Sequence, residues 1–225
     1  MIKAHEYQPQ TIKQAYNRRG WIYSKTVAPM EWEYHLEALE QANLQPGEKV
    51  LEVAVGPGLT AVEIARRVGK EAVFSGMDIS TSMLALTEQR LRSSGFSQFV
   101  LKEGSATQIP YSSKTFDVRY NGYMLDLIPE EEMPGILAEF KRLLKPGGRM
   151  ILLNMSKADQ ETVLFRERLY QFLPPKLVLY LMGGCRPVLM EDLTLRAGFH
   201  QVRRTYLGGK APSEIVTAMN PASEN

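Results

Sequence analysis

The sequence predicts an α/β fold in which helices cover a mostly parallel sheet. From Lys49 onward, apolar segments with strand character alternate with amphipathic helical segments, which is the signature of parallel βαβ units. A glycine-rich turn follows the first of these strands, and a carboxylate follows the second. With 44% hydrophobic and 23% charged residues, the chain has the composition of a globular protein that buries a substantial core.

The first half of the chain begins with a helical segment and continues with alternating strands and helices. Residues 1–46 have a helical pattern rich in aromatic side chains, so they predict a helical cover. The elements that follow are a strand at 50–55, a helix at 59–68, a strand at 72–77, a helix at 80–93 and a strand at 99–103. Ser80 or Thr81 is the expected N-cap of the second of these helices.

The second half of the chain continues this alternation as far as residue 155. A strand at 115–123 precedes a helix at 129–144, which we expect to start at Pro129 with acidic residues in its first turn, where the helix dipole favours them. The turn at 145–148 ends that helix. The remaining predicted elements are a strand at 149–155, helical segments within 160–182, a short helix at 190–197, and strands at 199–207 and 214–220.

Length, charge and cysteine content argue against several classes of protein. No linker divides the 225 residues, so we expect one domain, and a net charge of +2 is small for a nucleic-acid-binding protein. The single cysteine, Cys185, cannot form an internal disulfide, and no Cys/His spacing predicts a zinc site, so we expect no metal. The chain shows neither a signal peptide nor the ~18–20 apolar residues of a membrane span, so we expect a cytoplasmic protein without integral membrane association.

The strongest functional signal is the sequence Gly56-Pro57-Gly58 between the first strand and its helix. Glycine there allows a tight turn and a close approach of a ligand, while the free N–H groups of the new helix face that ligand. Asp78 ends the next strand, 22 residues after Gly56, where a carboxylate can accept hydrogen bonds from ribose hydroxyls. The alternatives are a plain turn for the glycines and a helix cap for Asp78, and the turn also fits the pattern of NAD-binding proteins.

The order of motifs along the chain resembles the class I S-adenosylmethionine-dependent methyltransferases, in particular the ubiquinone and menaquinone (methyltransferase type 11) branch. The motifs are VLEVAVGPG, GMDIS with Met83, GSATQIPYSSKTFDV and LAEFKRLLKPGGRMILLN. The resemblance implies a Rossmann-like, doubly wound, seven-stranded sheet with an antiparallel last strand and an N-terminal helical lid. It divides the single domain into a cover (1–46), a cofactor-binding core (47–155), a substrate-cover insertion (156–198) and C-terminal strands (199–225).

The resemblance also implies the cofactor, S-adenosylmethionine, with S-adenosylhomocysteine as product. By the resemblance, the methionine portion would be surrounded by Glu52, Ala54, Gly56 and Gly58, and the ribose would be held by Asp78. The adenine would contact Ile79, Met83, Ser105 and Ala106, and Asn121 would lie near the sulfonium. Three residues depart from the family pattern. Ala54 replaces the usual first glycine, Ser105 replaces a common acidic residue, and Arg119 replaces a buried apolar residue, so its guanidinium should meet a carboxylate, solvent or an anionic substrate.

Methyl transfer from a sulfonium is an in-line displacement, so the protein mainly aligns the acceptor and excludes water. Oxygen, thiol and carbon acceptors also need a general base. We expect Asp126 to be this base, followed by Tyr23 and Tyr16; the alternative for Asp126 is an N-cap of the next helix. Further candidates include His35, Tyr120 and Cys185, and the alternative for His35 is a position on the surface of a helix. The expected substrate contacts are Trp21, Tyr123, Tyr180 and Arg186.

The aromatic and aliphatic residues of the two predicted covers indicate a lipophilic or aromatic small-molecule acceptor, and the atom methylated is open. These residues are Trp21, Tyr23, Leu177, Tyr180, Leu181 and Met182, and a dimer contact or simple packing is the alternative for them. A monomer and a homodimer are both compatible with the sequence. Two other functions stay open: a non-catalytic S-adenosylmethionine-binding protein and an NAD(P)-dependent oxidoreductase. The oxidoreductase motif Tyr-x-x-x-Lys occurs only at 206–210, where two glycines disfavour a catalytic helix.

Overall fold

The structure is a computed structural model that describes residues 9–26, 28–156, 185–209 and 212–222, with only the backbone between 19 and 30. Two helices precede the first strand: α1 (Pro9–Thr26) and α2 (Ala28–Ala42). The other helices are α3 (Leu59–Val68), α4 (Thr81–Ser93), α5 (Met133–Leu143) and α6 (Glu191–Arg196). The strands are β1 (Val50–Val53), β2 (Phe74–Asp78), β3 (Phe99–Glu103), β4 (Phe116–Gly122), β5 (Leu144–Met155), β6 (His200–Leu207) and β7 (Ser213–Met219).

The described strands form one seven-stranded sheet in the order β3-β2-β1-β4-β5-β7-β6. β1 pairs in parallel with β2 on one side and β4 on the other, and β7 runs antiparallel to both β5 and β6. This confirms the predicted fold class, including the antiparallel last strand. The strand order reverses between β1 and β4, and ligands of doubly wound sheets bind in the crevice that such a reversal opens at the carboxyl ends of the strands.

Two apolar clusters fill the two faces of the sheet. Val50 of β1 lies in a cluster with Leu39 of α2 and Ile64 of α3, whereas the next residue, Leu51, lies in a cluster with Phe140 of α5. This alternation follows from the strand geometry, because successive side chains of a strand point to opposite faces. None of the helices in the described ranges is long and apolar enough to cross a membrane.

The start of α5 differs from the prediction. A 3₁₀ turn at Leu125–Leu127 follows β4, and α5 begins at Met133 with Pro134 in its first turn, so the acidic residues 130–132 lie before the helix. Proline is tolerated in a first turn because the N–H that it lacks would have no partner inside the helix. The turn at 145–148 also lies within β5, where the pairing with β4 shifts register between Phe116 and Val118.

Arg119 is fully buried on β4 and faces α5. Its guanidinium lies over the ring of Phe140, and none of its three side-chain nitrogens has a hydrogen-bond partner. Burial holds the pKa of Arg119 well below its ordinary value, against the opposing charge of Glu139. The expected contact with solvent or a substrate is therefore wrong, because the side chain points into the packed layer between the sheet and α5; of the expected partners, a carboxylate acts on it through the charge of Glu139, without a hydrogen bond.

Candidate functional site

A cavity of about 250 Å³ opens at the carboxyl ends of β1, β2 and β4, where the strand order reverses. Its floor is formed by the ends of these strands, and α1 covers one side with Ile12 and Tyr16. The loop after β3 and the segment between β4 and α5 form the other walls. Among the described residues, those that line the cavity are Pro9, Ile12, Tyr16, Val53, Ala54, Gly56, Asp78, Ile79, Met83, Gly104, Ser105, Ala106, Thr107, Gly122, Tyr123, Met124, Leu127, Ile128, Pro129, Glu132 and Ile136.

The glycine-rich turn divides its residues between the cavity and the core. Gly56 lines the cavity with a φ of 55°, and its carbonyl accepts a hydrogen bond from Thr87 Oγ1 at 2.8 Å. Gly58 is not among the lining residues; a Cβ built on it would lie 2.7 Å from the Thr87 Cα, so glycine is required there for α4 to pack against the turn. Its φ of 84° also favours glycine.

Ala54 lines the cavity in a left-handed backbone conformation, with a φ of 60°. This conformation brings the Cβ of an L-residue close to the following carbonyl and costs about 1–2 kcal/mol. The departure from glycine that the sequence shows at this position is thus accommodated at a local cost in backbone strain. Val55, the next residue, donates its N–H to the carbonyl of Met77 at 3.0 Å, which holds the turn against β2.

Asp78 connects the glycine turn to the start of α4. Its Oδ2 accepts a hydrogen bond from the Gly56 N–H at 2.9 Å, and its Oδ1 accepts one from the Ser80 N–H at 2.8 Å. Burial raises the pKa of Asp78 to about 6, although these backbone hydrogen bonds oppose the shift. The N-cap of α4 is Ser80, whose Oγ accepts from the Met83 N–H at 3.3 Å, so Asp78 is not the cap.

Glu52 lies behind the turn rather than among the cavity-lining residues. One of its carboxylate oxygens accepts a hydrogen bond from Thr60 Oγ1, and the other, Oε2, is buried without a hydrogen-bond partner. Burial raises the pKa of Glu52 to about 8. The Oε2 atom of Glu52, next to the turn, can therefore accept a hydrogen bond from one more donor.

The wall between β2 and the loop after β3 combines apolar and hydroxyl side chains. Ile79, Met83 and Ala106 are its apolar members. Ser105 also lines the cavity, with its Oγ 2.8 Å from Thr107 Oγ1. Asn121, in contrast, is buried and not among the lining residues; its Nδ2 donates to the Val53 carbonyl at 2.7 Å and thereby holds the end of β1 against β4.

Behind the floor of the cavity, the rings of Tyr120 and Tyr123 pack against the ring of His35. Tyr123 has a φ of 50°, and its hydroxyl lies 2.9 Å from Ser213 Oγ. The ring of His35 packs edge-on against Tyr123, and its Nδ1 lies 2.7 Å from the Tyr120 hydroxyl. His35 is half-buried, and these contacts place its ring between the helix and the sheet, so the surface position considered for this residue is wrong. Burial lowers its pKa to about 4.

Asp126 lies within the 3₁₀ turn and is fully buried. Its Oδ2 accepts a hydrogen bond from the Met155 N–H at 3.1 Å, whereas Oδ1 is without a hydrogen-bond partner. Burial raises the pKa of Asp126 to about 7, against the lowering effect of the Met155 N–H and the Cys185 thiol. Asp126 does not cap α5, and its neighbours Met124 and Leu127 line the cavity whereas its own side chain does not.

Arg186 joins the chain that follows residue 184 to the cavity wall. Its N–H donates to the Asp126 carbonyl at 3.0 Å, and its guanidinium donates to the Ile128 carbonyl. Arg186 therefore supports the wall from behind instead of lining it. The predicted site residues Trp21 and Tyr23 have no described side chains, and Tyr180, with Leu177, Leu181 and Met182, lies outside the described residues.

Sequence reasoning missed several residues that border the cavity. On α1, Ile12 lies four residues before Tyr16, and this helical spacing was an available signal. The segment that leads from β4 into α5 contributes Ile128, Pro129 and Glu132, of which the predicted helix at 129–144 had included the last two, and α5 itself contributes Ile136. Within the described ranges, no group of three or more His, Cys, Asp or Glu residues is arranged to hold a metal ion.

The motif Tyr-x-x-x-Lys does not lie on a helix. Tyr206 belongs to β6, an extended strand, and Lys210 lies outside the described residues. An oxidoreductase of that type carries both residues on one helix face, and a strand at this point is incompatible with that arrangement. The fold thus gives no support to the oxidoreductase alternative.

Comparison with known proteins identifies the family. Residues 50–148 match the family model described as "Methyltransferase domain". The demethylmenaquinone methyltransferase of Symbiobacterium thermophilum is 30% identical over 176 residues, which cover 75% of this chain and 69% of that protein. The enzyme of the same name from Bacillus subtilis is 33% identical over 117 residues, which are 52% of this chain and span only 49% of that relative.

Solved structures agree with this at the level of the fold. The structure of the N-methyltransferase NodS from Bradyrhizobium japonicum with S-adenosylhomocysteine has a TM-score of 0.69 at 15% identity and covers 93% of this chain and 98% of that one. The [4+2]-cyclase SpnF has a TM-score of 0.75 at 16% identity and covers 99% of both chains. Together with the family model and the sequence relatives, the strand order and the glycine turn show that the chain belongs to the class I S-adenosylmethionine-dependent methyltransferases.

Proposed function

We propose that this protein binds S-adenosylmethionine in the cavity at the ends of β1, β2 and β4 and transfers its methyl group to an uncharged, lipophilic or aromatic small molecule. The observation that carries the proposal is the hydrogen-bonded unit of Asp78 and Gly56 on the floor of an otherwise largely apolar cavity. A carboxylate at the end of the second strand of such a fold is placed to receive a ribose.

The residues at the site fit this cofactor. The Asp78 carboxylate accepts the backbone N–H groups of Gly56 and Ser80 and has lone-pair capacity left for a ribose hydroxyl. Ile79, Met83 and Ala106 offer an apolar wall for the adenine, and Ser105 offers its edge a hydroxyl. The backbone at Ala54 and Gly56 lies beside the methionine portion, with the unpartnered Glu52 Oε2 behind it.

The bound cofactor would supply an electrophilic methyl group on a sulfonium. The chain's own residues align the acceptor and exclude water, which the apolar side chains of α1 and of the segment between β4 and α5 do by covering the cavity. Gly122 and Tyr123 form the floor at the end of β4, so the acceptor lies between this floor and Tyr16.

Proton removal from a hydroxyl or carbon acceptor falls to Asp126 in this proposal. Its pKa of about 7 leaves a large fraction of the carboxyl groups ionised at neutral pH, and its Oδ1 is without a partner. Because the side chain is buried behind Met124 and Leu127, the proton would have to pass through an intervening group or a water molecule. Burial raises the pKa of Tyr16 and Tyr123, so these residues line the path of the acceptor and do not act as bases.

The acceptor class follows from the character of the walls. The described residues that line the cavity include the carboxylates Asp78 and Glu132 and contain no lysine or arginine. A carboxylate or phosphate on the acceptor would find no counter-charge among these described residues, whereas a neutral aromatic or lipidic molecule would bury its surface against Ile12, Leu127 and Ile128. The names of the sequence relatives, demethylmenaquinone methyltransferases, favour a quinone-type acceptor of this character.

Two measurements test the proposal. Titration calorimetry should show micromolar binding of S-adenosylhomocysteine and no binding of NAD. Binding of NAD without binding of S-adenosylhomocysteine would contradict the proposal and favour the oxidoreductase alternative. Mass spectrometry with a methyl-deuterated cofactor should then show label in reduced demethylmenaquinone and none in an anionic analogue such as a hydroxynaphthoate. Binding of the cofactor without label in any small-molecule extract would identify a non-catalytic binding protein instead.

A further inference from the structure

Residue Asn17 of α1 is exposed, but its side-chain oxygen contacts the buried start of α4, next to the cofactor cavity. Its Oδ1 accepts a hydrogen bond from Ser80 Oγ at 2.7 Å and a longer one from the Ser82 N–H at 3.4 Å. Ser82 Oγ in turn donates to the carbonyl of Tyr16 at 3.2 Å. The part of α1 that covers the cavity thus accepts three hydrogen bonds from the N-cap and first turn of α4.

The partner of Asn17 is Ser80, which also connects α4 to the carboxylate of Asp78. The N–H of Ser80 donates to Asp78 Oδ1 at 2.8 Å, while its side-chain oxygen accepts from the Met83 N–H at 3.3 Å. A serine hydroxyl has one proton, and Asn17 Oδ1 at 2.7 Å is a closer acceptor for it than Ser82 Oγ at 3.0 Å. Asn17 therefore fixes the orientation of a hydroxyl whose residue is itself fully buried.

A further polar contact of α1 reaches the end of β3. Lys13 forms an ion pair with Glu103, but both side chains are more than one-third exposed. Exposed pairs of this kind contribute little, because water screens them and both long side chains lose freedom. The apolar residues Ile12 and Ala15 bury their side chains under α1.

We propose that Asn17 is a positioning residue for the cofactor: through Ser80 it holds α1 closed over the cavity and couples that closure to the carboxylate of Asp78. This inference rests on the proposed function, since it assumes that the cavity receives S-adenosylmethionine. Tyr16, directly before Asn17, and Ile12, five residues before it, lie on the cavity wall, so release of the Asn17 contact frees the wall that blocks the exit of the ligand.

The test compares dissociation rates of S-adenosylhomocysteine, measured by stopped-flow displacement on the full chain. Asn17→Leu removes the acceptor oxygen and should raise the dissociation rate between about threefold and tenfold, the range expected for losing one net hydrogen bond. Asn17→Asp keeps an acceptor oxygen and adds a negative charge that the N-terminus of α4 favours, so its rate should stay within about twofold of the wild type. Gln14→Leu, on the exposed side of the same helix, is the matched control and should not change the rate.

A merely structural role for Asn17 would predict a different pattern. It would lower the melting temperature of the ligand-free Asn17→Leu protein without changing the dissociation rate, and that result would overturn the proposal. Equal rates for Asn17→Asp and Asn17→Leu would overturn it as well. Should Asn17→Leu fail to fold, Asn17→Ala provides the same comparison. If the wild type itself does not bind S-adenosylhomocysteine, the failure lies in the proposed function and not in the role of Asn17.

Discussion

The carboxylate of Asp78 accepts the backbone N–H of Gly56 at 2.9 Å, so two motifs that are 22 residues apart in the chain form one rigid unit. The contact fixes the turn after β1 relative to the end of β2, and both residues line the cavity. A ligand that binds the carboxylate is therefore held at a set distance from the turn.

Removal of the Asp78 carboxylate should weaken binding of S-adenosylhomocysteine by about 100-fold, because two hydrogen bonds to a charged acceptor are lost. Calorimetry on Asp78→Ala measures this, with Asp192→Ala, an exposed carboxylate of α6, as the control. Since burial raises the pKa of Asp78 to about 6, the affinity of the wild type should also fall between pH 7 and pH 5. An Asp78→Ala protein that binds as tightly as the wild type would rule out the ribose contact.

The free energy of unfolding should depend on pH through Asp126. Its carboxyl loses its proton near pH 4 in the unfolded chain and near pH 7 in the folded one, so between these values the folded state binds more protons. Stability must then decrease as the pH rises through this window. Asp126→Asn should reduce that decrease and be more stable than the wild type at pH 8 by about 1–2 kcal/mol in urea titrations.

The same Asp126→Asn protein tests the role of Asp126 in proton removal. Methyl transfer to a hydroxyl or carbon acceptor should be at least about 100-fold slower, which is typical for loss of a general base. Unchanged rates with the expected gain in stability would show that Asp126 only anchors the segment at Met155 and Arg186.

Ala54→Gly should stabilise the protein by about 0.5–1 kcal/mol, because glycine adopts the left-handed φ of 60° without the Cβ contact. The gain is less than the full strain energy, since glycine also increases the entropy of the unfolded chain. Thermal unfolding measures the effect. The matched control is Ala138→Gly on the exposed side of α5, which should destabilise by about 1 kcal/mol; the same sign for both variants would contradict the role of strain at Ala54.

Arg119→Met should stabilise the folded state by about 1–4 kcal/mol. The buried guanidinium has no hydrogen-bond partner, and an apolar side chain of similar volume removes the cost of burying it while keeping the contact with Phe140. Arg203→Met, an exposed change on β6, should stay within about 0.5 kcal/mol of the wild type in the same denaturant titration. Strong destabilisation of Arg119→Met would show that Arg119 has a polar role that its surroundings do not reveal.

The features that the sequence predicts correctly are local ones. Strand alternation and the 22-residue spacing of Gly56 and Asp78 are properties of short segments, and the parallel sheet converts that spacing into contact. The surface position considered for His35 was wrong, although a signal was present: Leu39 lies four residues later on the same helical face and is fully buried.

The features that the sequence does not predict depend on contacts through space. Local pattern extends α5 back to residue 129, but packing of the 3₁₀ turn against β5 delays its start and turns Ile128 and Pro129 toward the cavity. Asn121 and Asp126 follow the expected motif in the chain, yet both side chains point away from the lining. Which face of a strand or turn meets the cavity is decided by the neighbouring layers, which no single segment encodes.

The position of β7 between β5 and β6 has a consequence for synthesis of the chain. β6 is synthesised before β7 but joins the sheet by pairing with β7. Residues up to Met219 must therefore leave the ribosome before the sheet is complete. Until then, β5 and β6 each present an unpaired edge, and such edges promote association with other chains. Nascent chains stalled before Ser213 should therefore be substrates for chaperones that recognise exposed strands.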